Sequence, residues 1–312
     1  MSRQPVGLVL LIGLAAAGAT CKGSDPGKQD PPPPSTPADT GAAPARAPAV
    51  QEVPGYDVAQ LEPSVRADAL RILNETYCYC GCPRTIAACL AAEADCSCVR
   101  CSKRMASFIM NEYKLGSSTE DVEAQLLGGF SEGFNGRPRK FDQPDQPRKG
   151  PADAKIELVE FADFRCPHCA AAYDVLDQVV KAKSDVALRY YYFPLSGGGE
   201  TSIRAAEAAE EAREQGKFWE MAKMLFKFQH ALEDSDLRGY AQDVGLDLAK
   251  YDAAMKSRKH KEKVLEDKRL GEKVGVLSTP SIYLNGRPFQ MARTIENIEL
   301  RIEMEAERGR CD

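Results

Sequence analysis

Apolar and polar positions along the chain change regime several times, and each change predicts a boundary. Met1 to Thr20 carries one charged side chain, Arg3, and then an apolar run from Val6 to Ala17 that ends in small residues. That is a signal-peptide pattern, too short to span a bilayer. Residues 22–55 are rich in Pro, Ala, Asp, Gly and Thr and include Pro31-Pro32-Pro33-Pro34. They cannot bury enough apolar surface to offset the entropy of ordering, which predicts a disordered or polyproline spacer. Helical periodicity begins after Tyr56. Val65, Ala69, Ile72, Leu73 and Thr76 share one face, as do Met105, Phe108, Ile109 and Glu112, with Gly116 as a C-cap. Ser118 and Asp121 form a capping-box pattern opening a third helix through Leu127. Residues 56–136 thus read as a small helical module. Residues 137–150, with Pro138, Pro144 and Pro147 and no apolar period, read as a second linker.

From residue 151 the pattern becomes α/β. Ile156 to Phe161 is a short apolar run with β-branched members, which predicts a buried strand, and Ala170 to Val180 predicts the helix after it. Ala187 to Leu195 predicts a second strand, parallel to the first through a right-handed crossover. Gly197-Gly198-Gly199 opens a long helical stretch, residues 197–274, holding Phe218, Trp219, Phe226 and Phe228, aromatics that read mostly as core. Ser281–Leu284 and Pro288–Met291 flank Asn285-Gly286, a two-residue hairpin turn, and a last helix is predicted from Glu296 to Glu305.

Charge narrows the partners: 41 lysines and arginines stand against 46 acids, which gives no reason to expect nucleic acid. Eleven cysteines say more. In an exported chain such density predicts disulfides, whereas a reducing compartment would favour metal.

The chemistry concentrates where the first strand meets its helix. Cys166-Pro167-His168-Cys169 places two sulfurs three residues apart on one helical face, within reach of disulfide geometry. Pro167 suits the first helical position, and the free N–H groups there favour an anionic sulfur at Cys166. Cys166 would attack and Cys169 would resolve the mixed disulfide. His168, between them, offers a donor or partial positive charge to the sulfur. Glu160 lies on the strand, where a carboxylate is costly unless it works or is paired; both readings stand.

Phe164-Arg165-Cys166-Pro167-His168-Cys169 after an apolar strand resembles the DsbA-like proteins of the thioredoxin superfamily, over residues 151–312. Val276-Leu277-Ser278-Thr279-Pro280 is similar to that family's cis-proline loop. The resemblance implies a thioredoxin-like fold with a helical insertion. It implies that Cys166 and Cys169 are the redox pair, Thr279 and Pro280 the substrate clamp, and Glu160 the buried acid serving Cys169. It also implies exchange with exported protein thiols or disulfides, a membrane redox partner that resets the pair, and no cofactor. Disulfide donation is the expected direction, ahead of isomerisation or reduction, although Thr279 is a type also found in isomerases and reductases.

Gly18-Ala19-Thr20-Cys21 resembles a bacterial lipobox, which implies lipidation of Cys21 and a lipid-anchored, periplasmic protein. Setting aside Cys21, Cys166 and Cys169 leaves Cys78, Cys80, Cys82, Cys89, Cys96, Cys98, Cys101 and Cys311, enough for four disulfides. The alternative is a zinc- or copper-binding module, because Cys78-x-Cys80-x-Cys82 and Cys98-x-x-Cys101 are thiolate clusters, kept reduced by the thioredoxin-like part. The module distantly resembles the thiol reductase of cytochrome c maturation, but lacks its leucine-arginine-Cys-x-x-Cys motif and inherits no catalytic role.

Overall fold

A computed structural model describes residues 49–143 and 145–308. The signal segment, Cys21, most of the first spacer, Pro144 and Cys311 lie outside the described residues. Among the described residues no helix is long and apolar enough to cross a membrane.

Four helices build the Cys-rich part: α1 (Pro63–Glu75), α2 (Ile86–Ala91), α3 (Val99–Lys114) and α4 (Thr119–Gln125). Ala69, Ile72 and Leu73 of α1 face inward, as do Met105, Phe108 and Ile109 of α3. Gly116 ends α3 at φ +86°, a backbone that glycine adopts without strain. Ser118 caps α4 by accepting the Asp121 N–H at 3.1 Å, but its hydroxyl also donates to the Asp121 carboxylate. Asp121 therefore does not return to the Ser118 backbone, and only half of the expected capping box forms. Beyond α4 the helix widens into a π-turn at Leu126–Glu132 and ends in the short α5 (Gly133–Asn135). The glycines there permit close packing: a Cβ on Gly129 would meet Met291 Cγ at 2.4 Å.

The second part is a five-stranded sheet in the order β1-β3-β2-β4-β5, with β1 at Arg148–Lys149, β2 at Ile156–Ala162, β3 at Val186–Tyr192, β4 at Ser281–Leu284 and β5 at Arg287–Phe289. β2 and β3 are parallel, joined through α6 (Pro167–Ala182); β4 runs antiparallel to β2. Parallel central strands buried on both faces explain the run of apolar residues in place of alternation. Asn285 and Gly286 both have positive φ, 45° and 78°, which suits the tight β4–β5 turn. The predicted helical stretch resolves into α7 (Gly199–Glu214), α8 (Phe218–Lys227), α9 (Asp234–Asp243), α10 (Leu248–Ser257) and α11 (Lys261–Lys273), and α12 (Ile295–Ala306) closes the fold. This is a thioredoxin-like fold with a helical insertion.

The stretch read as a linker at 137–150 behaves otherwise. Phe141 is buried against Phe161, Tyr191 and Tyr283, Gln146 donates to Asp267 at 2.8 Å, and Arg148–Lys149 pair with β3. Its prolines mask a docking segment that one aromatic anchors. The two parts also share contacts: Arg104 pairs with Glu307 at 2.7 Å, and Arg301 donates to the Gly133 carbonyl at 3.2 Å.

Candidate active site

β2 runs out at Ala162, and the chain turns through Asp163-Phe164-Arg165 before α6 begins. Cys166 is the N-cap of α6 in extended backbone, and Pro167 occupies its first position, where no N–H is needed. Cys169 follows within the first turn, its N–H donating to the Cys166 carbonyl at 3.0 Å. Cys166 keeps 9% of its surface exposed and Cys169 none. Both are buried, and Cys166 is the less enclosed of the two.

The antiparallel register sets the opposite wall. Ser281, the first residue of β4, pairs with Phe161 near the end of β2, so the two residues before it arrive beside the start of α6. The Thr279–Pro280 peptide bond is cis. The Cys166 thiol points at the Thr279 carbonyl, Sγ to O 3.5 Å, across 113 residues of sequence. Leu277 in the same loop is 91% exposed.

Behind the cysteines lies Glu160, wholly buried, with neither carboxylate oxygen holding a hydrogen-bond partner. Burial pushes its pKa up to about 8, against a smaller opposing pull from Arg293. Burial, and then the nearness of Glu160, push the Cys169 thiol well up; the Asp163 backbone and the Thr279 hydroxyl oppose that rise. A carboxyl that holds its proton at neutral pH beside a thiol that must lose one can pass protons to and from Cys169. Of the two readings of Glu160, the satisfied structural carboxylate is not what the structure shows, since neither of its oxygens has a hydrogen-bond partner. His168 is exposed on the first turn of α6, open to solvent and to any approaching chain.

Two braces of the site were not visible in the sequence. Asp163 is buried, and its carboxylate accepts from the Arg165 N–H at 2.9 Å, the Leu195 N–H at 2.8 Å and the Ser202 hydroxyl at 2.9 Å. Gly198 makes room for this knot, since a Cβ there would fall 1.8 Å from Ser202 Oγ. Gln229, just after α8, donates to the Phe164 carbonyl at 2.6 Å and the Cys166 carbonyl at 2.8 Å. The insertion thereby holds the cysteine loop, while its Phe226 and Phe218 pack on Phe164 and Tyr190. Gln229→Ala leaves two carbonyls without that donor and is expected to cost about 1–3 kcal/mol, read as a lower urea midpoint at unchanged slope.

Among the described module cysteines one disulfide is present, Cys89–Cys96. Cys78, Cys80, Cys82 and Cys98 carry thiols among the described residues, and Cys311, the eighth cysteine of the expected four disulfides, lies outside them. Counting parity ignores where each side chain points, and the sulfurs of the second helix and the turn after it were the ones in register.

A cysteine pair on the first turn of a helix, facing a cis-proline loop at the end of the central strands of a thioredoxin-like sheet, defines a thioredoxin-fold protein. The chain belongs to the thioredoxin family, whose model matches residues 142–304. It is similar to the Na(+)/H(+) antiporter NhaA 3 of Salinispora tropica, 32% identical over 173 residues, which is 55% of this chain and 26% of the antiporter. The Na(+)/H(+) antiporter NhaA 1 of Mycobacterium sp. (strain KMS) is 36% identical over 160 residues, covering 48% of this chain and 26% of that protein. The chain thus spans about a quarter of the length of these curated relatives. Among solved structures it is similar to a thioredoxin-like oxidoreductase from Silicibacter pomeroyi DSS-3, at 25% identity and TM-score 0.49, over 53% of this chain and 95% of that one. Oxidised BdbD from Bacillus subtilis matches at 24% identity and TM-score 0.47, over 55% and 97%.

Proposed function

We propose that this protein is a thiol-disulfide oxidoreductase that exchanges disulfides with exported proteins through Cys166 and Cys169, held at the periplasmic face of a bacterial membrane by a lipid on Cys21. The observation that carries this reading is the 3.5 Å approach of the Cys166 sulfur to the Thr279 carbonyl, with Cys169 buried one turn further along. An extended substrate segment laid beside the Thr279–Pro280 loop brings its own sulfur to Cys166, and exposed Leu277 offers it apolar contact.

In the donor direction the oxidised pair is attacked at Cys166 by a substrate thiolate. The Cys166–Cys169 bond breaks, a substrate–Cys166 bond forms, and the departing Cys169 thiolate takes a proton from Glu160. A second substrate thiolate then attacks the substrate sulfur of the mixed disulfide, releasing Cys166 as thiolate. Substrate leaves oxidised by two electrons, the pair is left reduced, and a membrane oxidant restores it. The reverse sequence reduces a substrate disulfide, with Glu160 taking the Cys169 proton.

Direction is tested by equilibrating the purified protein with glutathione redox buffers. A donor has a potential near the strongly oxidising end of the family, about −120 mV, whereas one near the thioredoxin value of about −270 mV would overturn donation and make the protein a reductant.

A further inference from the structure

The module holds sulfur chemistry that exchange at Cys166 does not use. Cys89 lies on α2, and Cys96 follows the single 3₁₀ turn at Glu93–Asp95 that comes after that helix. Their disulfide, across a sequence separation of 7, straps α2 to this turn. The loop before α2 returns to the strap. Tyr77 bridges Thr85, and the Ile86 N–H donates to the Thr76 carbonyl at 2.9 Å, so the two ends of the 76–86 loop are pinned together. Cys82, within that loop, carries a free and partly buried thiol whose sulfur stands 3.9 Å from the Cys96 sulfur. The sulfurs of Cys82, Cys89 and Cys96 all lie within 4.8 Å of one another.

A thiol in contact with a disulfide can exchange with it once the attacking sulfur comes within about 3–3.5 Å. A small rotation of the Cys82 side chain closes that gap. A thiol from outside has no such approach, because Cys89 is fully enclosed and Cys96 is 6% exposed. We infer that Cys82, Cys89 and Cys96 form a second thiol-disulfide exchange site, in which Cys82 admits small thiols of the glutathione type to a disulfide they cannot reach directly. In the first step the Cys82 thiolate attacks Cys96. The Cys82–Cys96 bond forms, the Cys89–Cys96 bond breaks, and Cys89 leaves as a thiolate that takes up a proton, with no net change in oxidation state. The disulfide now ends at the accessible sulfur. A small thiolate attacks Cys82, the Cys82–Cys96 bond breaks, and Cys96 leaves and is protonated. A second small thiolate attacks the small-molecule sulfur of the mixed disulfide and releases Cys82. Two small thiols are oxidised to one disulfide, and the two electrons and two protons remain on Cys89 and Cys96. The reverse sequence lets a small disulfide rebuild the strap.

The partial burial of Cys82 sets the class of partner, since a recessed sulfur admits a tripeptide thiol more readily than a cysteine on a folded protein. The site also has a mechanical consequence. A small helical module leans on its cross-links, so opening the Cys89–Cys96 strap couples the module's stability to the surrounding thiol pool.

The test uses the full chain with its disulfide formed, exposed to reduced glutathione, quenched with acid at intervals, alkylated and mapped by mass spectrometry. In the unaltered protein, glutathione within the module should appear on Cys82, and a Cys82–Cys96 linkage should precede loss of the Cys89–Cys96 one. Cys82→Ser should slow reduction of Cys89–Cys96 by about tenfold or more. Exchange of glutathione at Cys166 should be unchanged in the same variant, which separates this site from the first. Should Cys82→Ser fail to fold, the map of the unaltered protein decides. In Cys89→Ser, Cys82 and Cys96 should be recovered joined. Reduction of Cys89–Cys96 at the same rate in Cys82→Ser, glutathione arriving first on Cys89 or Cys96, or Cys82 and Cys96 both recovered as thiols from oxidised Cys89→Ser would overturn the inference.

Discussion

Replacing Cys169 by serine is expected to turn the protein into a trap: substrate enters as a mixed disulfide on Cys166 and stays there. The reason is geometric. Cys169 sits one helical turn from Cys166, with none of its surface exposed, so it is the thiol placed to attack the Cys166 sulfur from within. Serine has nearly the same size, and the buried site accommodates it, but a hydroxyl does not displace a sulfur. Non-reducing gels of a cell extract should show high-mass adducts of Cys169→Ser that collapse with dithiothreitol. Cys166→Ser should give no adducts and fall to the uncatalysed rate of exchange, because its buried partner is closed to substrate. Adducts of equal intensity in both variants would assign attack to some other cysteine.

The second large effect is expected at Glu160. Its pKa is about 8 in the folded protein against an ordinary value of 4.5, so the folded state holds this proton more tightly than the unfolded chain. Below about pH 4 both states are protonated and Glu160 costs nothing by ionisation. As pH rises from there towards 8 the unfolded chain ionises first, the folded state binds more protons, and stability falls. Above pH 8 the penalty is complete, on the order of 3–5 kcal/mol. Glu160→Gln resembles the protonated acid and removes the penalty. It is expected to raise the melting temperature at pH 8 and leave it little changed at pH 4. The same variant should slow steps in which Cys169 gains or loses its proton by about 10²-fold or more, while leaving attack at Cys166 little altered. A variant with unchanged stability at pH 8 and unchanged resolution would show that Glu160 is solvated or paired and has no part in proton transfer.

The legible parts of this site were local. Cys166, Pro167 and Cys169 declare themselves because a strand-to-helix change, an N1 proline and a three-residue spacing all lie within one short stretch. Thr279–Pro280 was legible because proline alone makes a cis bond cheap, and the Asn285-Gly286 hairpin one short strand further on marked where β4 must end. Asp163 and Gln229 were not, because their bonds close over 32 to 65 residues and a buried aspartate on a loop looks like any turn residue. Gly198 hid inside a glycine run that reads as a helix opening. Residues 137–150 misled through composition: the prolines signal a linker, while a single aromatic, Phe141, and a two-residue strand bind the segment to the sheet. The cysteine module shows the same limit, since spacing gives the number of sulfurs but not which of them meet, as Cys89 and Cys96 do in their disulfide.

One measurement bears on the central claim most directly. Reduced protein is mixed with glutathione disulfide, quenched with acid at short intervals, alkylated and mapped by mass spectrometry. Glutathione should appear first on Cys166 alone and give way to a Cys166–Cys169 disulfide, with Cys169 never carrying glutathione. Glutathione on Cys169, or a Cys166 adduct that persists in the unaltered protein with no internal disulfide, would contradict an attacking sulfur at Cys166 backed by a fully enclosed resolving one at Cys169.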